Sequence, residues 1–335
     1  MENFQDLKLN YIDKKPKIAL ITEVNDWAFA NIANQLEKYL SNFFEFKIIA
    51  MVDIQDLNML IELTKDCELI HFFWRTQVMI FDEIYMKNNL NISTAVYDHL
   101  FLDSSSLSAN KKIFKVSPNY YVSSEKLYDI YSNLPFCNKP KVIAEDGVDL
   151  NLFKPINIER LKNISKREIV IGWCGNSKWL SEIEDFKGVE TILKPAIEQL
   201  VHEGYPIKMY FADRNEKMIP HKEMANYYSN IDLYVCTSKI EGTPNPILEA
   251  MACGIPIIST DVGIVPEVFG DKQKQFILKE RSIQCLKEAI KKIVSEFKIF
   301  IELSEENLMQ IKQWDWSIRA VYFKEFFKYC LKNKN

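Results

Sequence analysis

Short apolar segments alternate with segments of helical spacing along most of the chain. In the first half, apolar runs of strand length lie at 17–24, 46–52, 68–74, 93–99, 112–117 and 141–146. Between the first two runs, residues 27–41 carry one apolar stripe of a helix, formed by Phe29, Ile32, Ala33, Leu36, Tyr39 and Leu40. Strands that are apolar on both faces and joined by helices predict a parallel sheet covered on both sides.

The same alternation starts again in the second half of the chain. Strands are predicted at 168–174, 207–213, 231–238, 255–260 and 275–278. A helix is predicted over 189–201, where Pro195 is expected to introduce a kink. Residues 147–168 combine a glycine turn, a proline and a basic, polar tail, which is typical of a connector between domains.

The repeated pattern predicts an α/β protein with two Rossmann-like, doubly wound domains that face a cleft. We place the first domain at 1–150, the second at 151–315 and a final amphipathic helix in 316–335. A chain of 335 residues is too long for one ordinary core and suits two. In such sheets ligands bind at the carboxyl ends of the strands.

Composition and charge exclude several classes of protein. The formal net charge of −4 argues against a nucleic-acid partner. No apolar run is long enough for a membrane span, and the polar N-terminus is not a secretory signal. The seven cysteines form no C-x-x-C pair and the four histidines no H-x-x-x-H pair, so we expect reduced, buried cysteines, a cytoplasmic location and no metal site.

The clearest chemistry follows the strand predicted at 231–238. Glu241 lies in the exit loop, Thr243 is the predicted N-cap of the next helix, and Pro244 its first residue. Gly254 is predicted as the C′ residue of that helix. The unpaired N–H groups of a helix start attract phosphate. Because prolines cannot donate, the candidate donors are Gly242, Thr243, Asn245 and Ile247.

The second acidic residue, Glu249, lies one to two turns inside this helix. A carboxylate pointing at the phosphate would repel it, so we expect Glu249 to accept hydrogen bonds from the 2′ and 3′ hydroxyls of a ribose. Glu241 is then free to face the other end of the ligand. The simpler alternative is that Glu249 only complements the helix dipole, an effect of a few tenths of a kcal/mol.

Residues 234–268 resemble the signature of the retaining, GT-B-fold glycosyltransferases of family 4, whose hallmark is two glutamates separated by seven residues. Residues 145–155 and 185–200 are similar to the family's "NGVD…F" segment and its "KG" helix start. The resemblance implies that Glu241 contacts the donor sugar and Glu249 the ribose. It further implies that the diphosphate and sugar are held by Gly242, Thr243, Pro244 and Asn245.

Two lysines are candidates for neutralising the diphosphate, on which charge builds as the glycosidic bond breaks. The family usually has a basic residue just after the first glycine of the second domain, where this chain has Trp173. Lys187 matches the family's later lysine, and Lys178 is a candidate replacement for the missing cation. The alternative for Lys178 is a solvated loop lysine.

The acceptor side of the resemblance is less complete. Members of the family carry a histidine after the fourth strand, and this chain offers Asp98 and His99 there as candidates to orient or deprotonate the acceptor hydroxyl. His71 is predicted to be structural. The family's Gly-rich loop after the first strand is replaced by a loop with Trp27, which either stacks on a sugar or packs in the core.

The resemblance therefore implies a retaining, metal-independent glycosyltransferase without a cofactor. Its partners would be a nucleoside-diphosphate sugar and the hydroxyl of a glycan or lipid-linked acceptor, in surface polysaccharide synthesis. Alternatives are an epimerase or phosphorylase on the same scaffold, or a non-catalytic sugar-nucleotide-binding subunit. As in relatives, the last helix is expected to cover the first domain. The alternative is a membrane-surface patch helped by Lys324 and Lys328, with peripheral contact to the inner face of the membrane.

Overall fold

The computed structural model describes residues 14–81 and 90–334. Within them, ten strands form two five-stranded sheets in which every pair is parallel. The first sheet contains β1 (Lys17–Thr22), β2 (Glu45–Ala50), β3 (Leu69–Phe72), β4 (Ile92–Val96) and β5 (Asn119–Val122). The second contains β6 (Ile169–Gly175), β7 (Ile207–Asp213), β8 (Leu233–Cys236), β9 (Ile257–Thr260) and β10 (Ile277–Leu278).

The two sheets share one strand order. The first runs β2-β1-β3-β4-β5 and the second β10-β9-β8-β6-β7. Counted from the first strand of each sheet, both orders are 2-1-3-4-5. The order reverses between β1 and β3 in one sheet and between β6 and β8 in the other, which is where such sheets bind ligands. The predicted α/β fold with two doubly wound domains is confirmed.

Helices flank both sheets. They are α1 (Ala28–Leu40), α2 (Leu57–Thr64), α3 (Leu107–Val116), α4 (Glu125–Ser132), α5 (Lys194–His202), α6 (Met224–Tyr228), α7 (Asn245–Ala252), α8 (Val265–Val268), α9 (Asp271–Lys274), α10 (Ile283–Ser295), α11 (Lys298–Gln310) and α12 (Trp316–Lys332). Shorter 3₁₀ segments occur at Met51–Asp53, Arg75–Phe81, Ile158–Lys166, His221–Glu223 and Ile311–Trp314.

Each sheet is buried on both faces, which explains the continuous apolar runs in the sequence. Along β1, Ile18 and Leu20 belong to the apolar core that α1 and α12 cover. Ala19 and Ile21 belong to the core on the opposite face. The cysteines are all free. Cys174, Cys236, Cys253 and Cys330 are buried, as expected, whereas Cys67, Cys137 and Cys285 are only half-buried.

Two predicted strands are wrong. Residues 112–117 belong largely to α3, whose buried positions Asn110, Ile113 and Phe114 have helical spacing. The run is too short for periodicity to separate the two structures. The fifth strand is instead β5, which the pattern missed. Residues 141–146 form no strand, because only one isolated bridge joins Ile143 to Val122.

Other predicted strands continue past the true strand ends. The predictions at 17–24, 68–74, 93–99 and 231–238 exceed β1, β3, β4 and β8 by two or three residues. Those extra residues leave the sheets and many of them line the cleft, among them Glu23, Phe73, Trp74, Tyr97, Asp98 and Ser238.

The helix predicted over 189–201 is interrupted before Pro195. Residues Val189–Leu193 form a π-helical turn, in which the Leu193 N–H donates to the Gly188 carbonyl at 2.8 Å. Helix α5 then begins at Lys194 with Pro195 in its first turn. A proline is tolerated there because the N–H it lacks would have no partner within the helix.

Two chain segments cross between the domains side by side. Val148 N donates to the Trp314 carbonyl at 2.8 Å, and Trp316 N donates to the Val148 carbonyl at 3.2 Å. Gly147 permits this approach, because a Cβ there would lie 2.9 Å from Trp316 Cα. Beyond this crossing, α12 returns to the first domain, as expected. It places Phe323, Phe326, Phe327 and Cys330 in the same core as β1.

A buried carboxylate in the first crossing joins the two domains. Asp146 is fully buried and accepts a hydrogen bond from Tyr97 Oη at 2.7 Å and from Asn245 Nδ2 at 3.2 Å. Tyr97 follows β4 of the first domain, and Asn245 begins α7 of the second. Burial raises the pKa of Asp146 to about 7, although both hydrogen bonds favour the ionised form.

The packing of α12 predicts that Phe327→Ala destabilises the protein. The Phe327 ring is fully buried and lies 5.3 Å from the His71 ring and 6.0 Å from the Phe44 ring. Its truncation should cost about 3–5 kcal/mol of unfolding free energy. Urea unfolding followed by circular dichroism measures it. Val321→Ala is the matched control, because that side chain is 46% exposed on the same helix. Equal losses in the two variants would contradict this packing.

The burial of Asp146 predicts a pH-dependent stability that Asp146→Asn removes. Its folded pKa of about 7 lies above the ordinary 3.8, so the folded state binds the proton more tightly. Protonation of Asp146 contributes its full free energy of unfolding below the ordinary pKa, and this contribution is lost as the pH rises through about 7. Relative to wild type, the Asn variant should gain roughly 1 kcal/mol per pH unit within this window. Urea midpoints at pH 5, 6, 7 and 8 test this, and parallel curves would refute it.

Candidate active site

A cleft opens where the switch points of the two sheets face each other. It contains a cavity of about 310 Å³ and a second of about 210 Å³. Segments that follow β1, β6 and β8 contribute to both cavities. The residues that line both are Trp27, Ala28, Ile32, Asn176, Trp179, Lys187, Arg214, Glu241, Thr243 and Asn245. These shared residues mark the junction between the two cavities.

The start of α7 forms one wall of this junction. The helix begins at Asn245 with Pro244 as its N-cap, one residue later than predicted. Thr243 therefore does not cap the helix. Its Oγ1 donates to the Ser123 carbonyl at 3.1 Å and accepts from Asp146 N at 3.3 Å. Ser123 follows β5 of the first domain, and Asp146 lies in the first segment that crosses between the domains. Gly254 follows the C-cap with a φ of 75°, so the predicted C′ glycine is confirmed.

Three N–H groups at this helix start are unused. Those of Gly242, Thr243 and Asn245 donate to no acceptor within residues 14–81 and 90–334. The fourth predicted donor is a correction, because Ile247 N donates to the Pro244 carbonyl at 2.8 Å. Three free donors at the positive end of a helix suit an anion.

Glycine is required at position 242 by close packing between the domains. A Cβ at Gly242 would lie 2.6 Å from the Tyr97 carbonyl oxygen and 2.9 Å from Tyr97 Cα. On the other side, Ile264 N donates to the Gly242 carbonyl at 3.1 Å. The peptide that carries one of the unused N–H groups is thus fixed from both sides.

Glu241 lies at the junction and is paired with a lysine. Lys187 Nζ lies 2.5 Å from Glu241 Oε1, and the same ammonium lies 5.0 Å from the centre of the Trp179 ring. The sequence predicted both residues but not their contact. The pair leaves the second carboxylate oxygen of Glu241 available as an acceptor, while Lys187 compensates its charge.

Glu249 lines only the larger cavity, and its two oxygens have protein partners. His221 Nε2 lies 3.0 Å from Oε1, and Tyr228 Oη donates to Oε2 at 2.8 Å. Burial disfavours the charged imidazole, but the hydrogen bond and charge of Glu249, with the charge of Asp149, raise the pKa of His221 above its usual range. Sequence reasoning missed His221 and Tyr228 because neither lies near Glu249 in the chain.

Asp98, one of the two acceptor-side candidates, lines the smaller cavity. Arg75 Nη1 donates to Asp98 Oδ1 at 2.7 Å, and Leu100 N donates to the same oxygen at 2.9 Å. Arg75 is itself buried. Asp98 is therefore held in place and faces the cavity as part of an ion pair.

The histidines of the first domain occupy different places. His99 does not line either cavity; its Nδ1 is buried without a partner in the described part of the chain, and burial lowers the pKa of its imidazole. His71 is fully buried, lies 2.9 Å from Ser93 Oγ, and stacks on Tyr121 with the ring centres 5.4 Å apart. Burial lowers the pKa of His71 to about 3, which fits the predicted structural role.

The remaining lysine candidate for a diphosphate contact lies away from the cleft, and an arginine lies in the cleft instead. Lys178 is exposed and is absent from the residues that line the cavities. Trp173, at the position of the missing cation, is 2% exposed. Arg214, which sequence reasoning missed, lines both cavities. Its guanidinium lies 4.1 Å from the centre of the Trp27 ring, so Trp27 is a cleft residue and not a core residue.

Other expected features have the following positions. Lys324 and Lys328 of α12 lie 4.7 and 5.8 Å from the centre of the Phe43 ring, and their membrane role stays a prediction. Among the described residues, no helix is both long and apolar enough to cross a bilayer. Nor do the described residues bring three or more His, Cys, Asp or Glu side chains together as ligands for a metal ion.

The chain is similar to one described family and to several known proteins. The family model described as Glycosyl transferases group 1 matches residues 215–305, which include α7 and both glutamates. An N,N'-diacetylbacillosaminyl-diphospho-undecaprenol alpha-1,3-N-acetylgalactosaminyltransferase of Campylobacter jejuni is 24% identical over 242 residues. The match covers 68% of this chain and 64% of that protein, so this chain spans less than two thirds of its length.

Two further proteins are similar over shorter or longer stretches. A putative teichuronic acid biosynthesis glycosyltransferase, TuaC of Bacillus subtilis, is 40% identical over 72 residues, which are 22% of this chain and 18% of TuaC. The solved structure of sucrose-phosphate synthase from Thermosynechococcus elongatus superposes with a TM-score of 0.74 at 17% identity and covers 95% of this chain and 100% of that one. The fold is therefore that of a two-domain GT-B protein, and the match to Glycosyl transferases group 1 includes the helix start and the two glutamates of the cleft.

Proposed function

We propose that this protein is a retaining glycosyltransferase that uses a nucleoside-diphosphate sugar and needs no metal. One observation carries the proposal. Along the chain, three unused N–H groups at the start of α7 follow Glu241, which lines both cavities, and precede Glu249, which lines the larger one. A ligand with a central anion and a hydroxyl-rich group at each end matches this order, and a nucleoside-diphosphate sugar has that composition.

The cavities suggest how the donor lies. The ribose would occupy the larger cavity, where Glu249 accepts from its hydroxyls, and the diphosphate would meet the N–H groups of Gly242, Thr243 and Asn245. The sugar would then lie at the junction beside Glu241. The acceptor hydroxyl would enter through the smaller cavity, which is lined by aromatic rings and by Asp98.

The reaction we propose is a front-face displacement. The departing diphosphate accepts the proton of the acceptor hydroxyl, while the helix start stabilises the negative charge that develops on it. Glu241 orients the sugar by accepting from its hydroxyls, and Lys187 prevents that carboxylate from repelling the leaving group. Both partners are held by the protein, so much of the rate gain would come from positioning.

For the acceptor, we propose the hydroxyl of a glycan or of a lipid-linked oligosaccharide in surface polysaccharide synthesis. The support comes from two relatives, one named for its action on a diphospho-undecaprenol-linked sugar and one for teichuronic acid biosynthesis. We also propose that the protein acts in the cytoplasm and contacts the inner face of the membrane through α12.

Two other functions would use the same site. An epimerase or a phosphorylase would change or release the sugar without a carbohydrate acceptor, and a non-catalytic subunit would bind the nucleotide without turnover. Release of nucleoside diphosphate only when a carbohydrate acceptor is present separates the proposal from all of these. Addition of a chelator tests the independence from metals, and the anomeric configuration of the product, read by NMR, tests retention.

We expect Glu241→Gln to abolish most of the transfer. The amide keeps the shape but loses the charge that accepts sugar hydroxyls and pairs with Lys187, so kcat should fall by about 100-fold or more. A panel of sugar nucleotides with a glycan acceptor, assayed by released nucleoside diphosphate, measures this. Glu198→Gln, a change at an exposed position of α5, is the control and should leave turnover unchanged. Full activity of Glu241→Gln would exclude the proposed role.

We expect Glu249→Gln to remove discrimination by the ribose. Wild type should bind a nucleoside diphosphate about 10-fold more tightly than its 2′-deoxy form, because the carboxylate accepts a hydroxyl hydrogen bond. In Glu249→Gln the two affinities should become similar. Isothermal titration calorimetry with both ligands measures the ratio. A ratio that is the same in both proteins would assign Glu249 to stability, together with His221 and Tyr228.

A further inference from the structure

We propose that Arg214, held against Trp27 across the cleft, is the cation that grips the diphosphate, so that the first domain takes part in donor binding. This inference rests on the function proposed above. The sequence had suggested Lys178, in the second domain, as the replacement cation for the diphosphate. The structure indicates instead Arg214 of the second domain in contact with Trp27 of the first.

The cleft needs a cation because the usual position lacks one. Trp173 occupies that position, and its indole side chain is neutral and buried. Its carbonyl accepts from Tyr227 Oη at 2.9 Å. Lys178 does not line the cavities. Lys187 does, but its charge is compensated by Glu241 at 2.5 Å. A diphosphate that met these groups alone would find no unpaired positive charge.

The guanidinium of Arg214 is available for such a ligand. In the part of the chain that the structure describes, no group accepts a hydrogen bond from it and no carboxylate lies within salt-bridge distance. The positive charge of Arg214 acts on the carboxylate of Glu23. Burial raises the pKa of Glu23, and Arg214 opposes this rise. An arginine offers five donors in a planar fork that matches phosphate oxygens.

The main chain of Arg214 is fixed in place. Arg214 N donates to the Gly175 carbonyl at 2.9 Å, at the end of β6 and two residues from Trp173. On either side, Asp213 Oδ1 accepts from Ser177 N at 3.4 Å and from Asn215 N at 3.0 Å. These hydrogen bonds fix the loop after β7 to the loop after β6. Arg214, at the end of β7, therefore lies close to the end of β6, the strand on which Trp173 replaces the usual cation.

Trp27 then fixes the side chain from the opposite domain. The centre of its ring lies 4.1 Å from the Arg214 guanidinium carbon, a stacking distance that leaves the N–H edge of the guanidinium free. Asp26, just before it, has a φ of 54°, a left-handed conformation that aspartate tolerates better than most residues. This turn precedes α1 and leads into the tryptophan.

The position of the pair indicates the diphosphate as its ligand. Arg214 and Trp27 line both cavities, as do Thr243 and Asn245 of the helix start. Only the group that joins the nucleoside to the sugar would occupy this junction. Lys217, a second cation of the same loop, lines the larger cavity but not the smaller one, and is therefore placed toward the nucleoside.

The test compares diphosphates with monophosphates. Isothermal titration calorimetry would use the 5′-diphosphates and 5′-monophosphates of uridine, guanosine, adenosine, cytidine and thymidine with the full chain. We expect Arg214→Gln to weaken binding of the preferred diphosphate by about 10- to 100-fold, and that of its monophosphate much less. Arg214→Lys should lie between, since it keeps the charge but not the fork. Trp27→Ala should lose part of the diphosphate preference and Trp27→Phe should retain it.

The matched control is Lys208→Gln, which removes one positive charge from the opposite end of β7, where the side chain is exposed. It should bind like wild type. Wild-type preference for a diphosphate that persists in Arg214→Gln would overturn this inference alone. Equal loss for diphosphate and monophosphate, or an equal loss in Lys208→Gln, would also overturn it. If wild type binds none of the diphosphates, the proposed function falls together with this inference.

Discussion

The contact between the start of α7 and the first domain determines the geometry of the cleft. The peptide at Gly242 has no room for a side chain beside Tyr97, and Thr243 bonds to Ser123 and to the main chain of Asp146. The helix start therefore cannot shift relative to β4 and β5 without breaking these contacts. Because the same peptides carry the unused N–H groups, the anion site and the smaller cavity have a fixed spatial relation.

Asp146 makes this contact sensitive to protonation. Its side-chain partners are the neutral groups Tyr97 and Asn245, and within the described residues it forms no ion pair that would compensate the buried carboxylate. An ionised group accepts both hydrogen bonds but is costly to bury, whereas a protonated group is cheaper to bury but must donate its own proton. Tyr97 Oη also lies 3.1 Å from Tyr121 Oη, so the buried carboxyl group is connected to two hydroxyl groups of the first domain.

The sequence predicted the fold well because its signals are local. The β-rich runs and helical stripes follow from burial of two sheet faces, and they located nine of the ten described strands to within a few residues. The strand at Asn119–Val122 was missed because a short apolar stretch of α3, with Ile113 and Phe114, has no period that separates helix from strand. Turn chemistry also indicated the helix at 245–252 correctly, apart from a one-residue shift of its cap.

The site was predicted less completely, because partners that meet in space are remote in sequence. Glu241 and Lys187 were both candidates, yet their ion pair spans 54 positions, and Glu249 meets His221 across 28. Arg214 gave no signal because a lone arginine after a strand is usually solvated. Its role depends on Trp27, which comes from the other domain. The shared strand order of the two sheets, which brings these residues to one cleft, could not be read from local patterns.

These pairings explain why an anion site can be flanked by two glutamates. Lys187 compensates Glu241, and the raised pKa of His221 makes a positive charge beside Glu249 more accessible. Each carboxylate keeps acceptor capacity for hydroxyl groups, because a carboxylate has more lone pairs than its protein partners use. Glutamate without such a partner would repel a diphosphate at the helix start. Lys187 offsets the charge of Glu241, while the N–H groups at the start of α7 and the guanidinium of Arg214 contribute positive charge at the junction of the two cavities.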